Sequence, residues 1–514
     1  MTVEVELTAS GILQSLRTEF AYYAPRCLNI LTKAGKLVPF KLNKAQLYIH
    51  EKLEDQLKRR GKIRAIVLKG RQQGASTYIG GRFYWRSSGE FGKRVQILTH
   101  ESAATQNLFR MTKRYHDYCP PVVKPSTSNS SATELVFDKL DTRYSIATAG
   151  AQATGRSATA QFFHGSEVAF WPNAADHMAG IGQIVPDEPG TEIILESTAN
   201  GLANLFHAMC QQAMRGKGDY ELIFVPWFWD DGYKRAVDDD FMLEEDEIQY
   251  QELFGLSDEQ MAWRRNKIDT DFAGDISLFN QEYPATIEMA FQAAAANSLI
   301  APMTVSKARA EPKPHPVGPL ILTCDPAEYG DDDTAIGRRR GRLAYPIKAY
   351  HGIGQIEIAN ILAKMIDDEK PDAVCVDVGG GYGNTICDLL SEWGYKHIYR
   401  INFGATALEP EIYSNRRAEM WGLMRDWIKD QTPHLPNDDV LASELSSVTY
   451  RYDSSRRLVL TSKEKMREDG IPSPDRADAL ALTFAVRIAS RDQSDRPKWR
   501  DRLKAKSRGS AMAS

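Results

Sequence analysis

Between Ile63 and Trp227 the chain repeats one theme, a short apolar run followed by a stretch with helical spacing. The runs are IRAIVL, RVQILT, ELVFD, YSIATA, AQFFHG, TEIILES and ELIFVPW. Runs so short and so continuously apolar suit strands covered on both faces, and the helical stretches between them suit crossovers. The rhythm predicts an α/β unit with a parallel-rich sheet and helices packed on its faces. Residues 1–60 read mostly as helix, including NKAQLYIHEKLEDQLKRRG, and 230–300 reads as an acidic helical lid or subdomain.

A second alternation begins at LILTCDPA. It continues through RLAYPIKAYHG, DAVCVDVGGG, HIYRINFG and LVLTS, and closes with a helix over DRADALALTFAVRIA. Between the two alternations, EPKPHPVGP holds four prolines in nine residues and reads as a linker. A chain of 514 residues exceeds one ordinary core, which also predicts separate domains. The expected boundaries are an unassigned segment over 1–40, a first domain over 41–310 and a linker over 311–319. A second domain follows over 320–490, then a tail over 491–514. The tail carries eight Lys/Arg against three Asp and is expected to be disordered.

A net charge of −4 excludes a global pull toward nucleic acid, so any DNA surface must be local. Six scattered cysteines without a C-x-x-C pair exclude a zinc ribbon and a disulfide framework, and predict reduced, buried thiols. The start MTVEVELTASGILQSL lacks a basic stretch followed by an apolar core, and no run of about 18 apolar residues exists. Neither a signal peptide nor a membrane span is expected.

The stretch IVLKGRQQGASTYIGG has the strand, glycine-bearing turn and helix start of a phosphate loop, but Ala75 stands where lysine usually precedes the hydroxyl residue. Backbone N–H groups of Gln72, Gln73, Gly74, Ala75, Ser76 and Thr77 suit a phosphate at a helix start. Lys69 and Arg71 flank the turn and offer the missing positive charge. The hydroxyl of Ser76 or Thr77 is suited to Mg2+. Taken alone, the stretch reads equally as a plain β–α turn. Downstream, HGSEVAFW ends a strand in Ser166 and Glu167, with Glu167 placed to polarise an attacking water and Ser166 to touch Mg2+. A third strand ends in Ser197, Thr198 and Asn200, polar groups suited to sensing a γ-phosphate. Three polar strand ends would converge on one edge of a parallel sheet.

With these residues together, the sequence resembles the large terminase subunit of tailed bacteriophages. KGRQQGAST is similar to that family's deviant Walker A with Lys69 at the front, HGSEVAFW to its Walker B, and ESTANG to its coupling motif. Serine at 166 departs from the usual aspartate. The resemblance implies an adenine-reading role for Gln46. It also implies an arginine finger at Arg156, eleven residues before Glu167, acting on a neighbour's ATP. A local ion pair is the alternative for Arg156, and a helix-surface residue for Gln46.

In the second alternation, Asp325 follows LILTC, Asp377 follows AVCV, and Asp475 and Asp478 open the last helix, three apart and so on one face. Carboxylates from separate elements can hold two hard divalent cations about 4 Å apart for phosphodiester cleavage. Each aspartate alone reads as an ordinary strand end or cap. DPAEYGDDDTAI, VDVGGGYG and SKEKMREDGIPSPDRADALALTFA together resemble the terminase nuclease, a ribonuclease-H-like fold. The resemblance implies Asp325, Asp377 and Asp475 as metal ligands, with Asp478 competing for the third place. Asp333 is an outer contact or a loop residue, and Lys463 and Lys465 neutralise substrate phosphates or are simply solvated.

The implied function is a viral genome-packaging motor, with ATP and Mg2+ at a P-loop (ASCE-type) ATPase and two Mg2+ or Mn2+ at an endonuclease. Its implied partners are double-stranded DNA, a portal protein, a small terminase subunit and copies of itself in a pentameric ring, in the host cytoplasm and transiently on the procapsid. The competing expectations are a helicase-nuclease of repair and a nucleotide-binding module without hydrolysis.

Overall fold

The run IRAIVLK is apolar through its centre, and in the computed structural model it forms a strand buried at every position. The structure describes residues 9–149, 159–202, 204–291, 298–327 and 332–488. A small antiparallel pair, β1 (Asn29–Leu31) and β2 (Leu37–Pro39), precedes that strand, β3 (Ile63–Lys69). There follow β4 (Arg94–Thr99), β5 (Asn129–Ser130), β6 (Glu134–Phe137), β7 (Thr142–Thr148), β8 (Phe162–Ser166), β9 (Glu192–Ser197) and β10 (Glu221–Val225). All seven apolar runs of the first alternation are therefore strands.

With β5 they form one eight-stranded sheet in the order β10-β3-β9-β8-β4-β7-β6-β5. From β10 to β7 every pairing is parallel, and only the β6 and β5 edge is antiparallel. The chain leaves β3 for β4 but later inserts β9 and β8 between them. Such a reversal opens a crevice at the carboxyl ends of the strands, where α/β sheets bind ligands. The helix Ala75–Gly89 leaves β3 and buries Tyr78, Ile79, Phe83 and Tyr84 against the sheet. Arg82 on the same helix is fully buried, its Nε donating to Glu192 at 2.8 Å.

The division of the chain into two compact units is Met1–Glu247 with Phe254–Ala294, and Ile248–Leu253 with Ala295–Ser514. The expected linker at 311–319 therefore lies inside the second unit. The reason is packing: Leu299, Ile300, Val305 and Ala308, all ahead of it, are buried in the core that holds Trp421 and Leu441. Residues 1–8 and 489–514, with the expected basic tail, lie outside the described residues.

The second unit is built on β11 (Leu320–Asp325), whose six residues are all buried. Next come β12 (Thr334–Arg340), β13 (Leu343–Ala344), β14 (Lys348–Tyr350), β15 (Ala373–Asp377) and β16 (Ile398–Ile401). β11 runs antiparallel to β12 and parallel to β15, which runs parallel to β16. β13 and β14 both pair antiparallel with β12. This mixed sheet is antiparallel on one flank and parallel on the other, in the order β13-β12-β11-β15-β16. β17 (Tyr450–Tyr452) and β18 (Leu458–Leu460) form a separate hairpin pair.

Two local expectations are corrected. β12 was not anticipated, because TAIGRRR ends in three arginines and shows no apolar run; Arg339 nonetheless lies over the Phe484 ring at 4.1 Å. The closing helix spans only Asp475–Ala481 and tightens into a 3-10 turn at Leu482–Phe484, where the Thr483 hydroxyl donates to the Leu480 carbonyl at 2.7 Å. All six cysteines are free and buried. Among the described residues, no helix is long and apolar enough to cross a membrane.

Candidate functional site

β3 delivers Lys69 to the crevice, and the turn after it reaches the helix Ala75–Gly89 through Gly74 at φ +80°. That left-handed backbone suits glycine, and a Cβ there would come within 2.5 Å of Gln46 Nε2. Gln46 itself is buried. Its Nε2 donates to the Gly74 carbonyl at 2.9 Å, while its Oε1 accepts the Asn43 N–H in a capping box. The Gln46 amide thus ties the start of its own helix to the loop after β3. Gln73 is pinned likewise, its Nε2 donating to the Trp227 carbonyl at 2.9 Å. Gln72 is exposed. The first-turn N–H groups over Ala75, Ser76 and Thr77 have no acceptors within their own helix, which leaves an anion-favouring helix start.

The crevice holds a buried ionic cluster. Lys69 Nζ lies 3.1 Å from Glu167 Oε1 and 3.1 Å from Glu196 Oε2. Burial pulls the Lys69 pKa down, but the two carboxylates outweigh it and raise it, so the ammonium stays charged. Glu167 sits just past β8 with φ +53°, an unfavourable backbone for a non-glycine residue and a common mark of a working position. Its second oxygen accepts the Ser197 hydroxyl at 3.2 Å and the Thr198 N–H at 3.3 Å. Asn200 instead turns its Nδ2 to the Ala169 carbonyl at 3.1 Å. Lys69, Glu167, Ser197 and Thr198 therefore meet, as the three strand ends implied.

Arg71 does not join them. Its guanidinium pairs with Glu282, Nη2 lying 3.3 Å from Oε1, and more than half of the side chain faces solvent. The buried cation of the cluster is Lys69. Arg156 lies outside the described residues. One member of the cluster escaped sequence reading: Glu196 is fully buried and accepts both the Ser76 hydroxyl at 2.6 Å and the Ser166 hydroxyl at 2.8 Å. Its signal was a carboxylate inside the apolar strand TEIILES, a placement tolerated only when the charge is paired.

In the second unit, β11 ends at Asp325 and its parallel neighbour β15 ends at Asp377, with Cys324 level with Val376. The helix Tyr382–Glu392 after β15 needs Gly383 in its first turn, where a Cβ would lie 1.9 Å from the Asp377 carbonyl. Asp377 Oδ1 accepts the Gly379 N–H at 3.0 Å. The helix Asp475–Ala481 is laid across β11 by Thr323, whose hydroxyl donates to the Ala479 carbonyl at 2.7 Å. Asp475 Oδ2 accepts the Asp333 N–H at 3.0 Å. Asp333 thereby positions Asp475 with its backbone, and its own carboxylate lies 3.0 Å from His351 Nδ1.

Burial raises the pKa of Asp325 well above its ordinary value, and raises those of Asp377 and Asp475 from theirs. For Asp325, Lys463 opposes this while Asp478, Asp377 and Asp475 add like charge. Asp478 behaves differently. Burial pushes it up, but Arg417 and Lys463 outweigh that and hold it low. Its Oδ1 accepts Arg417 Nε at 3.0 Å and Trp421 Nε1 at 2.7 Å, and its Oδ2 lies 2.9 Å from Lys463 Nζ. Asp478 is spoken for on both oxygens, leaving Asp475 the freer third carboxylate. Lys463 Nζ also lies 3.6 Å from Asp325 Oδ2, so it belongs to the cluster, whereas Lys465 pairs with Asp469 on the surface.

An all-oxygen set of mutually repelling, buried carboxyls fits the chemistry of hard divalent cations. Among the described residues, no three His, Cys, Asp or Glu side chains are gathered into a metal-holding group as they stand. Lys463 supplies part of the compensating charge. Asp478→Ala is expected to cost about 3 kcal/mol, since it strands the buried Arg417 and an indole N–H and takes one partner from the half-buried Lys463. A thermal melt checks this, with Asp475→Ala expected to shift the melt far less.

No family model and no curated protein matches the sequence. Among solved structures, the chain is similar to the large terminase of bacteriophage HK97, at 12% identity over 91% of this chain and 98% of that one, with a TM-score of 0.40. It is similar to the large terminase of the thermophilic bacteriophage D6E at 13% identity, over 84% of this chain and 97% of that one, with a TM-score of 0.33. The nuclease domain of the large terminase subunit gp2 of bacterial virus Sf6 is similar at 17% identity, over 37% of this chain and all of that one, with a TM-score of 0.32. At these identities and scores, the functional reading rests on the chain's own residues.

Proposed function

We propose that the protein is a two-activity enzyme of the class that joins a P-loop ATPase to a ribonuclease-H-like, divalent-metal endonuclease in one chain. Within that class it is the large terminase subunit of a tailed bacteriophage, the motor that moves double-stranded DNA into a procapsid and cuts it. The observation that carries this reading is the meeting of Lys69, Glu167 and the Ser197–Thr198 strand end at the carboxyl edge of the first sheet.

Lys69 neutralises phosphate oxygens from the front of the loop, in place of a lysine behind it. Glu167 orients the attacking water and accepts its proton. Its bonds to Ser197 and Thr198 carry the change at the reacting phosphate into the next strand end. In the second unit, Asp325, Asp377 and Asp475 hold two Mg2+ or Mn2+, which when bound supply an activated water and stabilise the leaving oxygen. Glu167 and Asp325 perform separate chemistry, one on ATP and one on the phosphodiester. The partners of this reading are a portal protein, a small terminase subunit and further copies of the chain in a ring, in the host cytoplasm.

Phosphate release from ATP with DNA present tests the reading, and two variants sharpen it. Lys69→Ala is expected to lower nucleotide affinity and turnover by at least about tenfold, the loss of one charge-assisted bond of roughly 1.5–3 kcal/mol. Arg71→Ala, whose charge is tied to Glu282, is expected to stay within about twofold. Equal losses in the two variants would contradict the assignment of the phosphate charge to Lys69.

A further inference from the structure

The Walker B-like strand β8 ends in serine where a carboxylate is the usual Mg2+ partner, so the first site lacks anionic charge on that strand. A serine hydroxyl is a neutral ligand, and Mg2+ bound to nucleotide is held by carboxylate and hydroxyl oxygens together with the phosphates. The missing charge is found one strand over. β8 and β9 are parallel neighbours, and Ser166 stands level with Glu196 in their register. Glu196 Oε1 takes the hydroxyls of both Ser166, at 2.8 Å, and Ser76, at 2.6 Å. Ser76 is the loop hydroxyl suited to Mg2+, so this carboxylate is joined directly to the other protein oxygen of such a site. Glu196 Oε2 lies 3.1 Å from Lys69 Nζ, and His164 Nε2 lies 3.4 Å from Oε1. The side chain is fully buried at a strand end beside the phosphate loop.

We propose that Glu196 is the carboxylate that holds the nucleotide's Mg2+, together with Ser76, in place of the aspartate that Ser166 replaces. The proposal rests on the reading of the first unit as an ATPase, and deepens it by naming the metal-holding residue. Lys69, Glu196 and Glu167 then form one chain of charge: the ammonium pairs with both carboxylates until phosphate and cation arrive to exchange partners with them. A carboxylate on β9 also lies one residue before Ser197, so metal holding and γ-phosphate sensing share one strand end.

The test separates cation binding from catalysis. Mn2+ is titrated into the full-length protein with and without ADP and followed by electron paramagnetic resonance, so that the ADP-dependent ion is read apart from Mn2+ at Asp325, Asp377 and Asp475, while a fluorescent ATP analogue is titrated with Mg2+ and with EDTA. Glu196→Gln is expected to weaken Mn2+ in the nucleotide complex about 10- to 100-fold, and to bring analogue binding in Mg2+ down to its EDTA level. The double variant Ser166→Asp with Glu196→Gln, which returns a carboxylate to β8, is expected to regain Mn2+ binding. Should Glu196→Gln not fold, Glu196→Asp keeps the charge beside Lys69 but withdraws the oxygens, and is expected to weaken Mn2+ in the same direction. Unaltered Mn2+ affinity in either folded single variant overturns the proposal and leaves Glu196 as a counter-ion of Lys69. Failure of the wild-type protein to bind the analogue under any condition would instead remove the ATPase reading itself.

Discussion

Glu167→Gln is expected to lower ATP turnover about 100- to 10,000-fold, the range for loss of a positioned general base. The substitution is nearly isosteric. Glutamine keeps an oxygen for Lys69 Nζ or for the Thr198 N–H, and the φ +53° backbone is the same for either residue. What disappears is the basic oxygen that receives the water's proton. Nucleotide binding is expected to persist, because the phosphate charge is carried by Lys69 and the helix start. DNA cleavage with Mn2+ is expected at the wild-type rate, since Asp325, Asp377 and Asp475 belong to a different sheet in a different unit. Steady-state phosphate release, read beside plasmid cleavage by the same preparation, checks both halves. Wild-type turnover in Glu167→Gln would take the base out of the site.

The second large effect is the mirror image. Asp325→Ala is expected to reduce Mg2+- or Mn2+-dependent cleavage by at least about 1,000-fold, because a metal ligand carries several kcal/mol of transition-state charge stabilisation and each 1.36 kcal/mol is tenfold. Asp325 is the best placed of the set for this loss. It ends the central strand β11, is buried, and is flanked by Asp377 on β15 and by Lys463. ATP turnover is expected to be unaffected. Fold is expected to survive as well, since removing Asp325 relieves like-charge repulsion at the cost of one contact with Lys463, while Asp478 still pairs that lysine at 2.9 Å. An intact melting temperature with lost cleavage is therefore the signature. A lowered melting temperature with intact cleavage would reassign Asp325 to structure.

Much of the architecture is legible in the order of residues. Seven apolar runs became strands because a run covered on both faces leaves little choice of conformation or direction. The strand-end residues Lys69, Glu167, Ser197, Asp325 and Asp377 were legible for the same reason, as polar groups placed where an apolar run stops. β12 escaped because its burial is shared with arginine stems lying over aromatic rings, which no apolar count registers. The linker was misplaced because proline content marks a break in helix, not a break in packing.

Pairing is what local pattern could not supply. The Gln46 amide closes on Asn43 at one end and on Gly74 at the other, and the second partner lies 28 residues away. Lys69 and Arg71 both flank the turn, two positions apart, and Glu282, far along the chain, pairs the second. Asp478 competes with Asp475 for the third place on one helix face, and Arg417 with Trp421, distant in sequence, pair it. By itself the chain's order of residues determined the strands, their chemistry-bearing ends and the two-unit plan, since apolar periodicity and strand termini are local properties. Only the tertiary structure decided which charge faces which, and so brought Glu196 to Ser76 and Lys463 to Asp325, because electrostatic partners are chosen by distance in space and burial rather than by separation along the chain.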